Sequence, residues 1–156
     1  MTAFLSTYLN RVDRKGRVSV PAAYRGALAS SNFQGIIAYP SMTEPVIEAF
    51  GRDLLEQMSR RRTDQSIDGG DFEQLLLGSN DDLVETIMAL ARELPFDGEG
   101  RVILPAALAS HAGINDGAMF VGRGNRFQIW EPTAFERHQA EAIDRLRARL
   151  RREESA

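Results

Sequence analysis

The chain has 156 residues, 43% of them apolar and 26% charged, so it is one ordinary domain or two very small ones rather than a disordered polymer. Its longest unbroken apolar run, Ile87-Met-Ala-Leu-Ala91, is five residues, against the roughly 20 a membrane span needs; no charged-then-apolar leader opens it, and the absence of cysteine excludes disulfides, thiolate nucleophiles and cysteine-ligated zinc. The net charge of −3 is unevenly spread, with +4 over residues 1–40, −9 over 41–100, +2 over 101–130 and zero over 131–156. A soluble cytoplasmic protein with a local anion-binding patch near its start fits these figures.

In chain order, the alternation of Leu5, Thr7 and Leu9, followed by Val12, predicts a half-buried strand. Asp13-Arg-Lys-Gly16 then supplies turn chemistry: a carboxylate that accepts backbone N–H groups, and a glycine that tolerates positive φ. Val18 and Val20 resume the alternation as the far arm of a hairpin, and Pro21 opens a short helix at its first position. Strands are predicted at Gly35–Tyr39 and Val46–Ala49, and helices at Arg52–Arg62, Phe72–Leu77 and Asp82–Glu93, the acidic stretch between them broken by Asp68-Gly-Gly-Asp71. Strands at Met119–Gly122 and Arg126–Trp130 flank a turn-rich segment, and a helix over Thr133–Arg152 closes the chain, with Phe135, Ala142, Leu146 and Leu150 on one face.

A duplication organises this order. Asp13-Arg-Lys-Gly-Arg-Val-Ser-Val-Pro-Ala-Ala23 aligns without gaps on Asp97-Gly-Glu-Gly-Arg-Val-Ile-Leu-Pro-Ala-Ala107, with seven of eleven positions identical at an offset of 84 residues. That period is too long for solenoid repeats. Two copies of one small unit are the simpler explanation, and since neither buries a large core alone, they should pack together or interleave.

The opening Tyr8-Leu-Asn-Arg-Val-Asp-Arg-Lys-Gly-Arg-Val-Ser-Val-Pro-Ala resembles the amino terminus of the MraZ family. The later Asp97-Gly-Glu-Gly-Arg-Val-Ile-Leu-Pro and Val121-Gly-Arg-Gly-Asn-Arg-Phe-Gln-Ile-Trp-Glu-Pro132 resemble that family's second signature. The resemblance implies an α+β, β-rich fold: a duplicated swapped-hairpin barrel of the SpoVT-AbrB type with peripheral helices. It divides the chain into a first unit (1–50), an acidic helical connector (51–92), a second unit (93–135) and a C-terminal amphipathic helix (136–156). It also implies a ring-shaped homo-oligomer and a nucleoid-associated bacterial transcriptional regulator. Such a regulator binds repeated short elements in double-stranded DNA upstream of its own gene, at the head of a division and cell-wall operon that it represses.

The family's Asp-x-x-x-Arg signature maps onto Asp13/Arg17 and Asp97/Arg101. Asp13, Gly16, Asp97, Gly100 and Arg101 are read as loop-structural residues, and Arg11, Arg14, Lys15 and Arg17 as the DNA contacts. No hairpin needs four cations, and guanidinium groups at a protruding tip can reach phosphate oxygens or guanine N7 and O6. Arg17 has a second reading, as the partner of Asp13 that holds the loop. The second loop has Gly98-Glu99 where the first has Arg14-Lys15, so the first repeat is expected to grip DNA, with avidity from several subunits. Arg60-Arg-Arg62 reads as a helix carboxyl end, and the arginine-decorated last helix, with its apolar face, as an amphipathic subunit-contact or docking helix rather than a second DNA arm.

Enzyme chemistry finds no support. His111 and His138 lack metal-ligand spacing and triad context, and Gly122-x-Gly124 lacks the rest of a dinucleotide loop. No catalytic residue, metal, cofactor, membrane contact or small-molecule substrate is expected. The rival readings are a ring-forming protein-interaction scaffold without specific DNA binding and an antitoxin-like partner, the latter disfavoured by the duplication.

Overall fold

The computed structural model describes residues 3–63 and 81–155. Eight strands and five helices follow one another as β1 (Thr7–Arg11), β2 (Arg17–Ser19), α1 (Ala22–Ala27), β3 (Gly35–Pro40), β4 (Ile47–Phe50), α2 (Arg52–Thr63), α3 (Asp81–Leu90), β5 (Arg92–Pro95), β6 (Arg101–Ile103), α4 (Ala106–Ala112), β7 (Gly117–Gly122), β8 (Phe127–Trp130) and α5 (Pro132–Ser155). Six strands form one antiparallel sheet in the order β1-β7-β8-β4-β3-β5, and β2 pairs with β6 in a separate ribbon.

This order reads the same from either end once each strand of the first half is exchanged for its counterpart in the second. The first strand of each half leaves its own half to pair with the other: β1 lies on β7, and β5 lies on β3. The pairs at the centre are Glu48↔Gln128 in the sheet and Val18↔Val102 in the ribbon, so a pseudo-twofold axis runs through both. Interleaving follows from size, because a half-chain of this length cannot bury its own apolar face.

The central strands β4 and β8 are buried on both faces, and the strand period of two sorts their residues between an inner and an outer core. Ile47, Ala49, Phe127 and Ile129 point to the inner face, where Val18, Val102, Tyr24 and Leu108 close the main core. Tyr24 stands at its centre, its ring 4.8 Å from Phe127 and 5.3 Å from Phe4, and its hydroxyl donates to the Ser6 carbonyl at 2.7 Å. Burial pushes its pKa up to about 12, which keeps that donor protonated. On the outer face α2 and α3 cover Ile37 and Phe50, while α5 covers Val46, Val121 and Trp130. Between these patches the buried Glu48 carboxylate accepts from Arg126 Nε (3.0 Å) and Gln128 Nε2 (2.8 Å), and Gln128 Oε1 accepts from Trp130 Nε1 (2.9 Å).

Several expectations are corrected. The described strands form an open sheet with β1 and β5 at its edges, not a closed barrel. In β1 the alternation has the opposite phase. Leu5 and Leu9 are 66% and 61% exposed, while Tyr8 turns towards Tyr24 in an edge-to-face contact and Asn10 donates to the Ser19 carbonyl at 2.7 Å. The helix predicted over Asp82–Glu93 stops at Leu90, and Arg92–Pro95 is a strand because β3 offers it a paired edge. Pro21 is the N-cap of α1 rather than its first helical residue (φ −51°, ψ 139°), and its counterpart Pro105 does the same for α4. The predicted helix Phe72–Leu77 and the Asp68–Asp71 break lie outside the described residues. The last helix runs longer than predicted, from Pro132, with the Glu131 carboxylate accepting from the backbone N–H groups of Thr133 and Ala134. No described helix is long and apolar enough to cross a membrane.

Candidate nucleic-acid interface

The first loop joins β1 to β2. Asp13 Oδ1 accepts the backbone N–H groups of Lys15 and Arg17, both at 2.9 Å, and Oδ2 accepts from Arg17 Nε at 2.6 Å. The backbone closes the turn through Asp13 N–H to the Arg17 carbonyl and Gly16 N–H to the Asp13 carbonyl, both at 3.0 Å. Gly16 has φ +82°, and a Cβ there would lie 3.3 Å from the Leu104 carbonyl oxygen. One carboxylate therefore organises the loop and leaves Arg14 and Lys15 at its tip, exposed and with no hydrogen bond or ion pair from their side chains among the described residues. The N–H bonds from Arg17 and Lys15, with the guanidinium beside them, hold the Asp13 carboxyl below its usual pKa.

The second loop repeats this pattern. Asp97 Oδ1 accepts from the backbone of Glu99 and Arg101 at 2.9 Å, Oδ2 accepts from Arg101 Nε at 2.8 Å, and Gly100 has φ +76°. The Asp97 pKa is lowered chiefly by the Arg101 backbone N–H bond. Its tip is acidic, and Glu99 lies 3.6 Å from an Arg101 terminal nitrogen. The Arg101 pKa is raised, first by the bond to Asp97, then by the charges of Asp97, Glu99 and, from across the ribbon, Asp13.

The loops are stitched crosswise. Leu104 N–H donates to the Gly16 carbonyl at 2.8 Å, and Val20 N–H donates to the Gly100 carbonyl at 3.1 Å. Between them the ribbon pairs Arg17 with Ile103 and Ser19 with Arg101, with Val18 and Val102 buried beneath. These four side chains share the outer face by the period-two rule. Arg25 also reaches this region: its Nε donates to the Val20 carbonyl at 3.1 Å, and its guanidinium lies over Gly100, where a Cβ would be 2.7 Å from it.

Of the expected contacts, Arg14 and Lys15 share the loop tip, and Arg17 serves the loop through Asp13. Arg11 lies apart on edge strand β1, opposite Gly117. Sequence reasoning did not single out Arg25, which lies against the second loop, or Ile103, which is set opposite Arg17 in the ribbon. The available signal was the repeat itself, because the offset of 84 aligns Arg25 with Ala109 and Ile103 with Ser19. The two histidines, in separate helices, both come to Glu44: His111 Nε2 is 3.1 Å from its carbonyl oxygen, and His138 Nδ1 is 3.9 Å from its carboxylate. Among the described residues no three histidines or carboxylates gather as a metal site.

Residues 87–153 match the family model described as "MraZ protein, putative antitoxin-like". The chain is 47% identical over 144 residues to the transcriptional regulator MraZ of Rickettsia bellii (strain OSU 85-389), covering 91% of this chain and 90% of that protein. It is 45% identical over 141 residues to the transcriptional regulator MraZ of Rickettsia akari (strain Hartford), covering 88% and 87%. Against the protein of that name from Pelagibacter ubique (strain HTCC1062) it is 43% identical over 150 residues, covering 96% and 90%.

Proposed function

The chain belongs to the MraZ family, and from that premise we propose that it is a transcriptional regulator binding double-stranded DNA upstream of its own gene, with the first loop as its grip. The observation that carries this reading is the tip of that loop. Asp13 spends its carboxylate on the loop's own N–H groups and on Arg17, so the charges of Arg14 and Lys15 remain for an external anion. A preformed basic hairpin tip on an otherwise acidic chain suits phosphate contact at one place rather than indiscriminate coating. Repression of its own operon, short repeated DNA elements, a ring of subunits that sums weak contacts and residence at the nucleoid complete the reading.

A second reading, an interaction scaffold, draws on α5. That helix is about 36 Å long and buries only Phe135, leaving Ile143, Leu146 and Leu150 exposed. The experiment is fluorescence anisotropy of the full chain with the DNA upstream of its own gene, against a scrambled duplex, over a salt series. The regulator gives preference for the upstream duplex and a log–log salt slope of about −0.9 per phosphate neutralised. Equal affinity for both duplexes leaves a non-specific anion patch, and no binding at low salt removes the DNA reading in favour of the scaffold.

A further inference from the structure

We propose that a cavity on the outer face of the sheet, between the β3–β4 and β7–β8 loops and helices α2 and α3, binds a small uncharged carboxamide with an apolar body. The cavity lies on the side of the sheet away from the β2–β6 ribbon, and its occupancy is a separate question from DNA binding. Its volume is about 300 Å³, at the small end of the roughly 300–1,000 Å³ usual for ligand pockets. Phe50, Met58 and Ile87 contribute an apolar wall, and Tyr39, Asn125 and Arg126 a polar one.

The polar wall offers donors without net charge. Register puts Tyr39 beside Glu48, and Glu48 opposite Gln128. The Glu48 carboxylate is already engaged, Oε1 accepting from Arg126 Nε at 3.0 Å and Oε2 from Gln128 Nε2 at 2.8 Å. Arg126 is thereby neutralised through Nε, while its terminal nitrogens and the Tyr39 hydroxyl form no hydrogen bond among the described residues. Burial, and then the Glu48 charge, push the Tyr39 pKa up to about 12, so its hydroxyl stays a donor. The acceptor that suits such a pair is a carbonyl oxygen. A carboxylate would add charge where residues 41–100 already carry −9. Asn125 supplies the complement: its Oδ1 is buried without a hydrogen-bond partner, and an N–H on the ligand provides one once the side chain turns to the cavity. A carboxamide carries both groups on one carbon.

The pseudo-twofold axis supplies an internal comparison. Within the sheet the halves are offset by 80 residues, which sets Glu48 on Gln128, Phe50 on Trp130 and the start of α2 on that of α5. In the second half the Trp130 ring packs on Phe135 at 5.6 Å and on His138 at 4.7 Å, and its Nε1 donates to Gln128 Oε1 at 2.9 Å. There an indole both fills space and satisfies a polar neighbour. Phe50 is smaller and has no N–H, and the cavity opens beside it.

The test is saturation-transfer difference NMR on the full chain with three probes of similar size: benzamide, benzoate and ethylbenzene. Benzamide should bind about tenfold more tightly than either of the others, the worth of one net hydrogen bond. Y39F, which removes only the hydroxyl, should lower benzamide affinity by about the same factor and leave ethylbenzene unaffected. F50W, which gives the first half the indole of the second, should abolish benzamide binding, with its fold checked by thermal melt. Y39F decides the matter if F50W does not fold. Equal affinity for the three probes, wild-type benzamide affinity in either folded variant, or no benzamide signal overturns the proposal. None of these results bears on the DNA-binding reading, which the anisotropy titration tests separately.

Discussion

The first and second loops share a backbone hydrogen-bond pattern bond for bond and differ in nearly everything that points outward. Asp13 and Asp97 each accept the N–H groups two and four residues on, and each holds an arginine by Nε. Yet one tip carries Arg14-Lys15 and the other Gly98-Glu99. Beyond the tips, Gly100 is covered by the Arg25 guanidinium, whereas Gly16 faces the Leu104 backbone. The comparison separates what the hairpin needs in order to exist from what it is free to present. The aspartate, the glycine and the arginine belong to the first class, and the two residues between them to the second.

Exchanging the tips breaks the comparison most severely. Replacing Arg14 and Lys15 by glycine and glutamate should lower affinity for DNA by roughly 100-fold and flatten the salt slope by about 2 per bound loop, with the fold intact. The reciprocal G98R/E99K variant should steepen that slope by up to about 2, because the second loop already has the backbone to display them. Anisotropy titrations at several salt concentrations read both. A G98R/E99K protein with wild-type slope would mean that the second loop faces away from DNA, whatever its charge.

Much of this was legible in sequence because it is local. Turn chemistry fixes both hairpins, Pro21 and Pro105 mark the helices after them, and the offset of 84 puts the same elements in both halves. Interleaving was expected from the size of the two units, but the partners were not legible, since nothing in Thr7–Arg11 states that it pairs with Gly117–Gly122. The phase of β1 differs from expectation because leucines usually mark the buried face, whereas here the half-buried Tyr8 and Asn10 have specific partners, Tyr24 and the Ser19 carbonyl. The place of Ile103 opposite Arg17 comes from the β2–β6 register. Register is a tertiary fact, so a correct list of strands was still silent about which side chains meet.

The two glycines sharpen the comparison at the level of stability. Alanine at either position costs about 1–2 kcal/mol for the left-handed backbone alone. At Gly16 the added Cβ would also stand 3.3 Å from the Leu104 carbonyl oxygen, a backbone atom. At Gly100 it displaces Arg25, whose Nε then loses the Val20 carbonyl. In an R25A background, therefore, the cost of G100A should shrink towards the backbone value, while that of G16A should not change. Denaturant melts of the two double-mutant cycles measure this, and equal coupling in both would show that Arg25 does not bear on the second loop.

The smallest effect concerns charge at the two clamps. D13N and D97N keep one oxygen that can accept the backbone N–H groups but put an NH2 donor where Oδ2 accepts from the arginine Nε, so each removes the charge and the arginine hydrogen bond together. Both carboxyl pKa values are lowered from 3.8 in the fold. Their stabilisation is therefore complete above that value and disappears as the pH falls through it to the lower folded value. Thermal melts should show each variant less stable than wild type at neutral pH and level with it once both carboxylates are protonated. The loops should differ even here. Arg101 retains Glu99 at 3.6 Å and the field of Asp13 when Asp97 is neutralised, whereas Asp13 is the carboxylate that Arg17 is bonded to. D13N should then cost more than D97N, although Asp97 sits in the loop with more negative charge. Equal costs would show that Glu99 and Asp13 do not compensate Arg101 for the loss of the Asp97 charge, and no cost in either variant would place the work of both clamps in the backbone N–H bonds.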